Sequence, residues 1–564
     1  MGETTRRQSL GAAAQRHLGL AWWSLATVLG GAALLFCYLR IAGATQVNSD
    51  GAGLVLQASD MLHGNLLLHG WWDTDVSFIT TELPEYMGVT AAAGVRPEVV
   101  HVCSALTYTL LVLLAAFVAR GRARGAEGIV RALLAATVML APQPNGPTVV
   151  LLGSPDHVGT AVPLLVLLLL LDRVQPPRSW ARWLVPVCVT VLLAWTIVGD
   201  ALAEVLGVVP LALACLLRAG RIIIAARRGG ASTGAWRAAA YDLSLAAAAV
   251  IAVPVAYAVN SLIRRLGGYR LGPATYHPLP WHRVAQDAPL LWQSVLALFG
   301  ADYAGVTGAG NVAFALAHLA GVAVVLAAVA VAAWRLIRPS RSAPLGDLAA
   351  DVLVLAVVVN IAAYLFVVPI DNIYSAHEIG PVMALGAALA GRMLGGPLLR
   401  FRPSRLRLPG PRRGFPVLLP VLAAALACYV LLLGVAAASP QRMPQNVHLA
   451  TWLRQHHLSS GLAPYWQASS VTVDSGGAVT MVAVAVRGRN HRLEPYPWES
   501  DGRLADPATH TANFMVIVPG PVTGKLAVKT FGKPARTYRY QSYLILVWRK
   551  NLLAALAPSR TPAR

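Results

Sequence analysis

The chain is predicted to be a polytopic α-helical membrane protein carrying a small extracytoplasmic β-rich or α+β domain at its carboxyl end. Three observations predict this. Composition is 56% hydrophobic and 13% charged with mean hydropathy +0.58 over 564 residues, against roughly 25% charged in soluble domains, which excludes a soluble enzyme. Apolar runs long enough to approach the ~20 residues of a spanning helix recur roughly eleven times. Arginines fall between alternate pairs of these runs, and carboxylates fall between the others.

The runs are Leu20 to Ala42, Val99 to Ala119, Ile129 to Ala141 with a Pro-broken continuation to Gly153, Val158 to Leu171, Trp183 to Val198, Ala201 to Leu217, Leu243 to Val259, Val312 to Trp334, Leu348 to Val368, Ile379 to Leu394 and Phe415 to Ala438. The first exceeds a signal-peptide h-region and lacks a small-residue cleavage site, so it reads as a retained helix. All five cysteines lie within or at the edge of apolar runs, where packing is their expected role rather than a disulfide or a zinc site.

Charge gives the sidedness. The net charge of +21 does not imply nucleic acid, because no basic domain pools the arginines. With Arg6, Arg7 and Arg16 taken as cytoplasmic, the positive-inside rule puts Arg120, Arg122 and Arg124 inside, and likewise Arg218, Arg221 and Arg227, and Arg400 to Arg413. That assignment leaves Asn48 to Glu98, Asn260 to Gly310 and the tail after Ser439 outside. The expected organisation is a cytoplasmic tail 1–19, a transmembrane domain 20–438 with external loops 43–98 and 260–310, an external domain 439–550 and a tail 551–564.

The first external loop concentrates acids: Asp50, Asp60, Asp73, Asp75, Glu82, Glu85 and Glu98. Leu54, Val55, Ala58, Met61 and Leu62 recur at helical spacing and predict an amphipathic helix lying on the membrane surface. In the second loop, Leu290 to Phe299 is too short to span and reads as interfacial or re-entrant. In the tail, alternation over Ser470 to Val486, Phe514 to Val518 and Tyr538 to Val547 predicts strands, preceded by a helix from Leu449 to His457.

The first loop runs N-S-D-G-A-G-L-V-L-Q-A-S-D-M-L-H-G-N, then W-W-D-T-D-V-S-F and T-T-E-L-P-E-Y. An acid just after the first helix, followed by an amphipathic helix ending in L-H-G-N, resembles the GT-C type integral-membrane glycosyltransferases. The resemblance covers the first hundred residues by motif and the remainder by topology. It implies transfer of a sugar from a polyprenyl-phosphate carrier to an extracytoplasmic acceptor, at the cell membrane, with the amino terminus inside. An obvious Asp-Glu pair, which some members carry in this loop, is absent, so the need for a divalent cation stays open.

Such a transfer needs a base for the acceptor hydroxyl and positive groups for the departing phosphate. The resemblance makes Asp50 the base; its residue type fits a helix cap equally well. Asp73 and Asp75, beside Trp71 and Trp72, are expected to bind substrate or to be solvated loop carboxylates, and Glu82 and Glu85 are candidates for the acceptor. Arg264, Arg265, Arg270 and Arg283 stand on the side where few cations are expected, so they are candidates for the donor phosphate; Arg264 and Arg265 could equally anchor a helix end to headgroups. His377 and Glu378, near Asp371, either line the same cavity or compensate a helix dipole. Asp156 and His157 follow the broken P-Q-P-N-G-P stretch and are pocket-wall candidates. A secondary transporter is a competing reading, though the carboxylates cluster at one face rather than at mid-membrane. A non-catalytic envelope-assembly protein of the same fold is another.

Overall fold

A computed structural model describes residues 23–143, 148–153, 157–174, 180–229, 234–272, 277–304, 306–338, 345–400, 418–487 and 492–556. Among them, nine helices are long and apolar enough to cross a membrane. They are α1 (Trp23–Ala42), α4 (Glu98–Arg120), α8 (Arg182–Gly199), α9 (Glu204–Arg228, its first turn π-helical), α10 (Ala235–Arg265), α12 (Ala309–Ile337), α13 (Leu348–Val367), α14 (Ile373–Arg400, opening with a 3-10 turn at Ile373–Ile379) and α15 (Leu419–Ala437). The chain is a multi-pass membrane protein. Two further apolar runs are helices of 15 and 13 residues, α5 (Gly125–Met139) and α7 (Ala161–Arg173), with the short α6 (Thr148–Leu152) between them.

Burial sorts the bundle. The apolar window of α14 is 78% buried, against 17% for α1 and α15, so α14 is the axis and those two face lipid. Small residues let it sit there: a β-carbon at Gly391 would collide with the Arg131 carbonyl on α5 and with Ala119 on α4, the close approach that packs membrane helices. At the end of the bundle away from the first loop, Arg392 of α14 bonds Asp172 in the last turn of α7, Asp347 at the cap of α13 and the Val118 carbonyl of α4.

The first loop forms α2 (Ser49–Leu62), strand β1 (Trp71–Trp72) and α3 (Leu83–Ala93). Leu54, Val55, Ala58 and Met61 are buried as the spacing predicted, but protein covers them rather than the membrane surface; Leu62 is exposed. The cover comes from α3 and from α17 (Tyr465–Asp474) in the tail. This corrects the expected strand over Ser470 to Val486: only Thr480–Arg487 (β3) is extended. Residues 470–474 alternate in polarity, yet burial against both α2 and β3 favours helix there, a tertiary override of local pattern.

The tail continues as α16 (Val447–Gln455), β2 (Ser460–Ala463), β4 (Arg492–Pro495), β5 (Ser500–Asp501), β6 (Phe514–Ile517), α18 (Gly524–Phe531), β7 (Arg536–Tyr540) and β8 (Tyr543–Val547). A mixed sheet of order β4-β3-β2-β6-β8-β7 makes it α+β, with β2 parallel to both β3 and β6. The expected re-entrant segment lies inside a longer helix, α11 (Trp281–Leu298), packed on the 3-10 turn of α14 and on α13.

The tail is clamped onto the first loop. Strand β5 pairs antiparallel with β1. The Arg503 guanidinium reaches Asp60 at 2.6 Å and Asp501 at 2.7 Å, while the Trp71 indole also donates to Asp60. The second loop joins the same seam through the Asp73 N–H to Arg270 carbonyl bond of 2.9 Å. Between this tail and the helical bundle lies a cavity of about 1390 Å³.

Candidate active site

Asp50 lines that cavity from the first turn of α2. Asn48 caps the helix by accepting from the Gly51 N–H, so Asp50 itself is not the N-cap. The Asn48 amide donates to Asp50 Oδ2 at 2.8 Å. On the other side, the Tyr465 hydroxyl meets Asp50 Oδ1 and stands 2.8 Å from Glu499 Oε2. A second tie fixes this geometry, the Ser49 hydroxyl donating to the Tyr465 carbonyl at 2.6 Å.

The trio has a simple proton count. A phenol has one hydrogen, so Tyr465 donates to one carboxylate at a time, and a bond to the second needs a proton on that carboxyl. Burial and the charges of Glu499 and Asp50 hold the Tyr465 hydroxyl well above its ordinary pKa, so it stays a donor. Glu499 is 5% exposed and adopts a φ of 41°, a left-handed conformation costly for a residue with a β-carbon. Phe78 and His157, at φ of 52° and 55°, also line the cavity. Strained backbone thus gathers at this site.

Opposite Asp50, two helical breaks bring three groups together. His157 precedes α7, while His377 and Glu378 occupy the 3-10 turn that opens α14. Their ligand-type atoms lie within 4.8 Å of one another. His157 Nδ1 is 2.9 Å from Asp200, which is held in turn by Thr160 and by the Leu202 N–H. The His377 Nδ1 is 2.9 Å from the Tyr374 carbonyl.

Of the residues expected from sequence, Asp50, Asp75, His157, His377 and Glu378 line the one cavity. Asp73 is buried and accepts from the Gln57 amide at 2.7 Å; burial raises its pKa well above the carboxylate range. Glu82 is buried and accepts from the Gly159 N–H, and burial lifts it to about 8. Glu85 accepts from Thr107 and is lifted by burial to about 7. None of these three lines the cavity.

The four arginines are elsewhere. Arg264 and Arg265 end α10 exposed, Arg270 lies over the Trp72 ring at 5.0 Å, and Arg283 pairs with Asp287 and Asp371. None of the four is among the described residues that line the cavity. Asp156 lies outside the described residues.

No protein-family model and no curated protein sequence matches the chain. Among solved structures it is similar to ArnT from Cupriavidus metallidurans in the apo state, at 14% identity and a TM-score of 0.41, over 96% of this chain and 100% of that one. It is also similar to the arabinofuranosyltransferase AftD from Mycobacteria, at 16% identity and a TM-score of 0.42, over 94% of this chain. The chain spans 40% of AftD.

Sequence reasoning missed Tyr465, Glu499 and Asp200. Tyr465 stands in the run G-L-A-P-Y-W-Q-A, and Pro464 before the helix gives its only local signal of a turn. Glu499 follows Trp498 in an aromatic-rich stretch, Tyr496 to Trp498, that also lines the cavity. The contact of Tyr465 with Asp50 spans 415 positions.

Proposed function

We propose that this chain is a GT-C type, inverting membrane glycosyltransferase that moves a sugar from a polyprenyl-phosphate carrier to an extracytoplasmic acceptor. Its cavity would open on the outer face of the cell membrane, with the amino terminus inside and the sheet domain outside. The observation that carries the reading is the setting of Asp50: a carboxylate at the mouth of the helical bundle, oriented by Asn48 and Tyr465, in a cavity shared by bundle and tail. The first-loop motif described above points the same way.

In the reaction, Asp50 takes the proton of the acceptor hydroxyl while that oxygen attacks the anomeric carbon. The bond from that carbon to the phosphate oxygen breaks, and the carrier phosphate leaves with the electron pair. Attack from the face opposite the phosphate inverts the anomeric centre. Tyr465 positions Asp50, and Glu499 shares the same hydroxyl from the tail. Trp466, Tyr496 and Trp498 offer aromatic faces to sugar rings, and Asp75 offers an acceptor for their hydroxyls.

Transfer from a labelled polyprenyl-phosphate sugar by reconstituted protein tests this. Asp50→Asn should cost on the order of 10²- to 10⁴-fold, the usual worth of a positioned base. Unchanged transfer would remove Asp50 from the chemistry, and solute uptake by the same vesicles would point to a transporter. Labelling of a cysteine placed at Asp75 from the cytosolic side only would refute the sidedness.

A further inference from the structure

The cavity around Asp50 is lined by four carboxylates, Asp50, Asp75, Glu378 and Glu499, and among the described residues by no lysine or arginine. Arg487 stands over the Tyr496 ring, 5.7 Å from its centre. A cation bound among these carboxylates would be the largest local charge there.

We propose that His157, His377 and Glu378 bind a divalent cation of the zinc class in the wall of this cavity. His157 Nε2 lies 3.8 Å from Glu378 Oε2, and His377 Nε2 lies 3.6 Å from Glu378 Oε1. Ligand atoms at 2.0–2.2 Å from a tetrahedral zinc stand roughly 3.4 Å apart, so a contraction on the order of 1 Å closes the set on an ion. The two imidazole rings are nearly parallel, with centres 5.9 Å apart, and present their Nε2 atoms toward the same carboxylate.

The outer shell is already in place. Metal-binding histidines hold their other nitrogen against a carboxylate or a carbonyl, which fixes tautomer and ring orientation. His157 Nδ1 faces Asp200, and His377 Nδ1 faces the Tyr374 carbonyl. Glu378 is steadied by its own carbonyl, which accepts from the Asn360 amide at 3.2 Å. The left-handed backbone at His157 keeps a strain that simple wall packing would not require.

Two imidazoles with one carboxylate suit zinc or its transition-metal neighbours better than magnesium or calcium, which prefer all-oxygen sets. Three protein ligands leave a fourth position, as in sites where an exogenous oxygen binds. Because all three residues line the cavity, that position is open to an anionic oxygen entering it, such as water, hydroxide or a phosphate oxygen. The site rests on its own geometry and does not depend on the role given to Asp50.

Full-length protein purified in detergent, loaded with zinc chloride and desalted, should retain about one zinc per chain by elemental mass spectrometry, and its cobalt(II) form should show the visible bands of a tetrahedral site. His377→Ala and Glu378→Gln should lose the metal while remaining monodisperse; His448→Ala, an exposed histidine on α16, should keep it. Asp200→Asn, which touches no metal, should weaken zinc by ~10- to 100-fold in chelator competition. Wild-type protein that retains neither zinc nor cobalt, or His377→Ala protein that retains as much as wild type, overturns the site. Metal content is read without any sugar donor, so that failure would leave the transfer reading standing, and loss of transfer in zinc-loaded Asp50→Asn protein would leave the metal site standing.

Discussion

The two ends of the helical bundle each bury a charged cluster, and they are built on opposite principles. At one end, Arg392 directs its N–H groups at Asp172, Asp347 and the Val118 carbonyl, all within 2.6–3.1 Å. Burial alone would raise the Asp347 pKa, but the bonds to Arg392 and its charge outweigh it and hold the pKa below the ordinary value. At the end that carries Asp50, two carboxylates share one tyrosine hydroxyl, backbone is held at positive φ, and the described lining has no lysine or arginine. Matched charge locks four helices together. Carboxylates gathered around one hydroxyl on strained backbone provide the capacity to bind or to move a proton.

Substitutions can break this contrast. Asp50→Asn should abolish most transfer, by the 10²- to 10⁴-fold stated above, with no loss of thermal stability. Arg392→Ala should do the reverse, costing about 3 kcal/mol because Asp172 is left largely buried without its cation, while the half-exposed Asp347 adds little; unfolding of the purified protein by denaturant measures it. If Arg392→Ala lowers transfer at full stability, the division between the ends fails.

Smaller changes sharpen it. Tyr465→Phe removes a bond to a charged carboxylate, worth about 1.5–3 kcal/mol, and should slow transfer on the order of ten- to a hundredfold in a steady-state assay. Glu85 tests a buried acid outside the cavity: burial lifts its pKa to about 7 from an ordinary 4.5. The folded state therefore holds the proton more tightly, and stability is lost as pH rises from about 4.5 through 7. Melting temperature in detergent should fall over that range in wild type, and Glu85→Gln should flatten the fall. Least affected should be Arg264→Ala with Arg265→Ala, exposed at the end of α10, with transfer within about twofold of wild type, since exposed charges contribute little.

Much of the fold was legible because membrane helices announce themselves: each apolar run predicted is helical among the described residues, though α5 and α7 are shorter than a span. Asp50 was legible because an acid directly after the first span has few places to go. The strand expected at Ser470 was not, because α17 is helical through packing on α2 and β3, and polarity alternation alone is too weak a signal over five residues. The arginines of the second loop drew attention as departures from the charge rule, yet each ended on a surface, a ring or an aspartate pair.

Composition and hydropathy period by themselves determined the solvent of this protein, its helices and the carboxylate-rich first loop, because partition between lipid and water acts on each segment independently. Only the tertiary structure decided which of those carboxylates meet. The contact of Tyr465 with Asp50, the pairing of β5 with β1 and the convergence of His157 with His377 and Glu378 join residues hundreds of positions apart. No local propensity encodes such contacts; they follow from how the helices and the sheet domain close on one another.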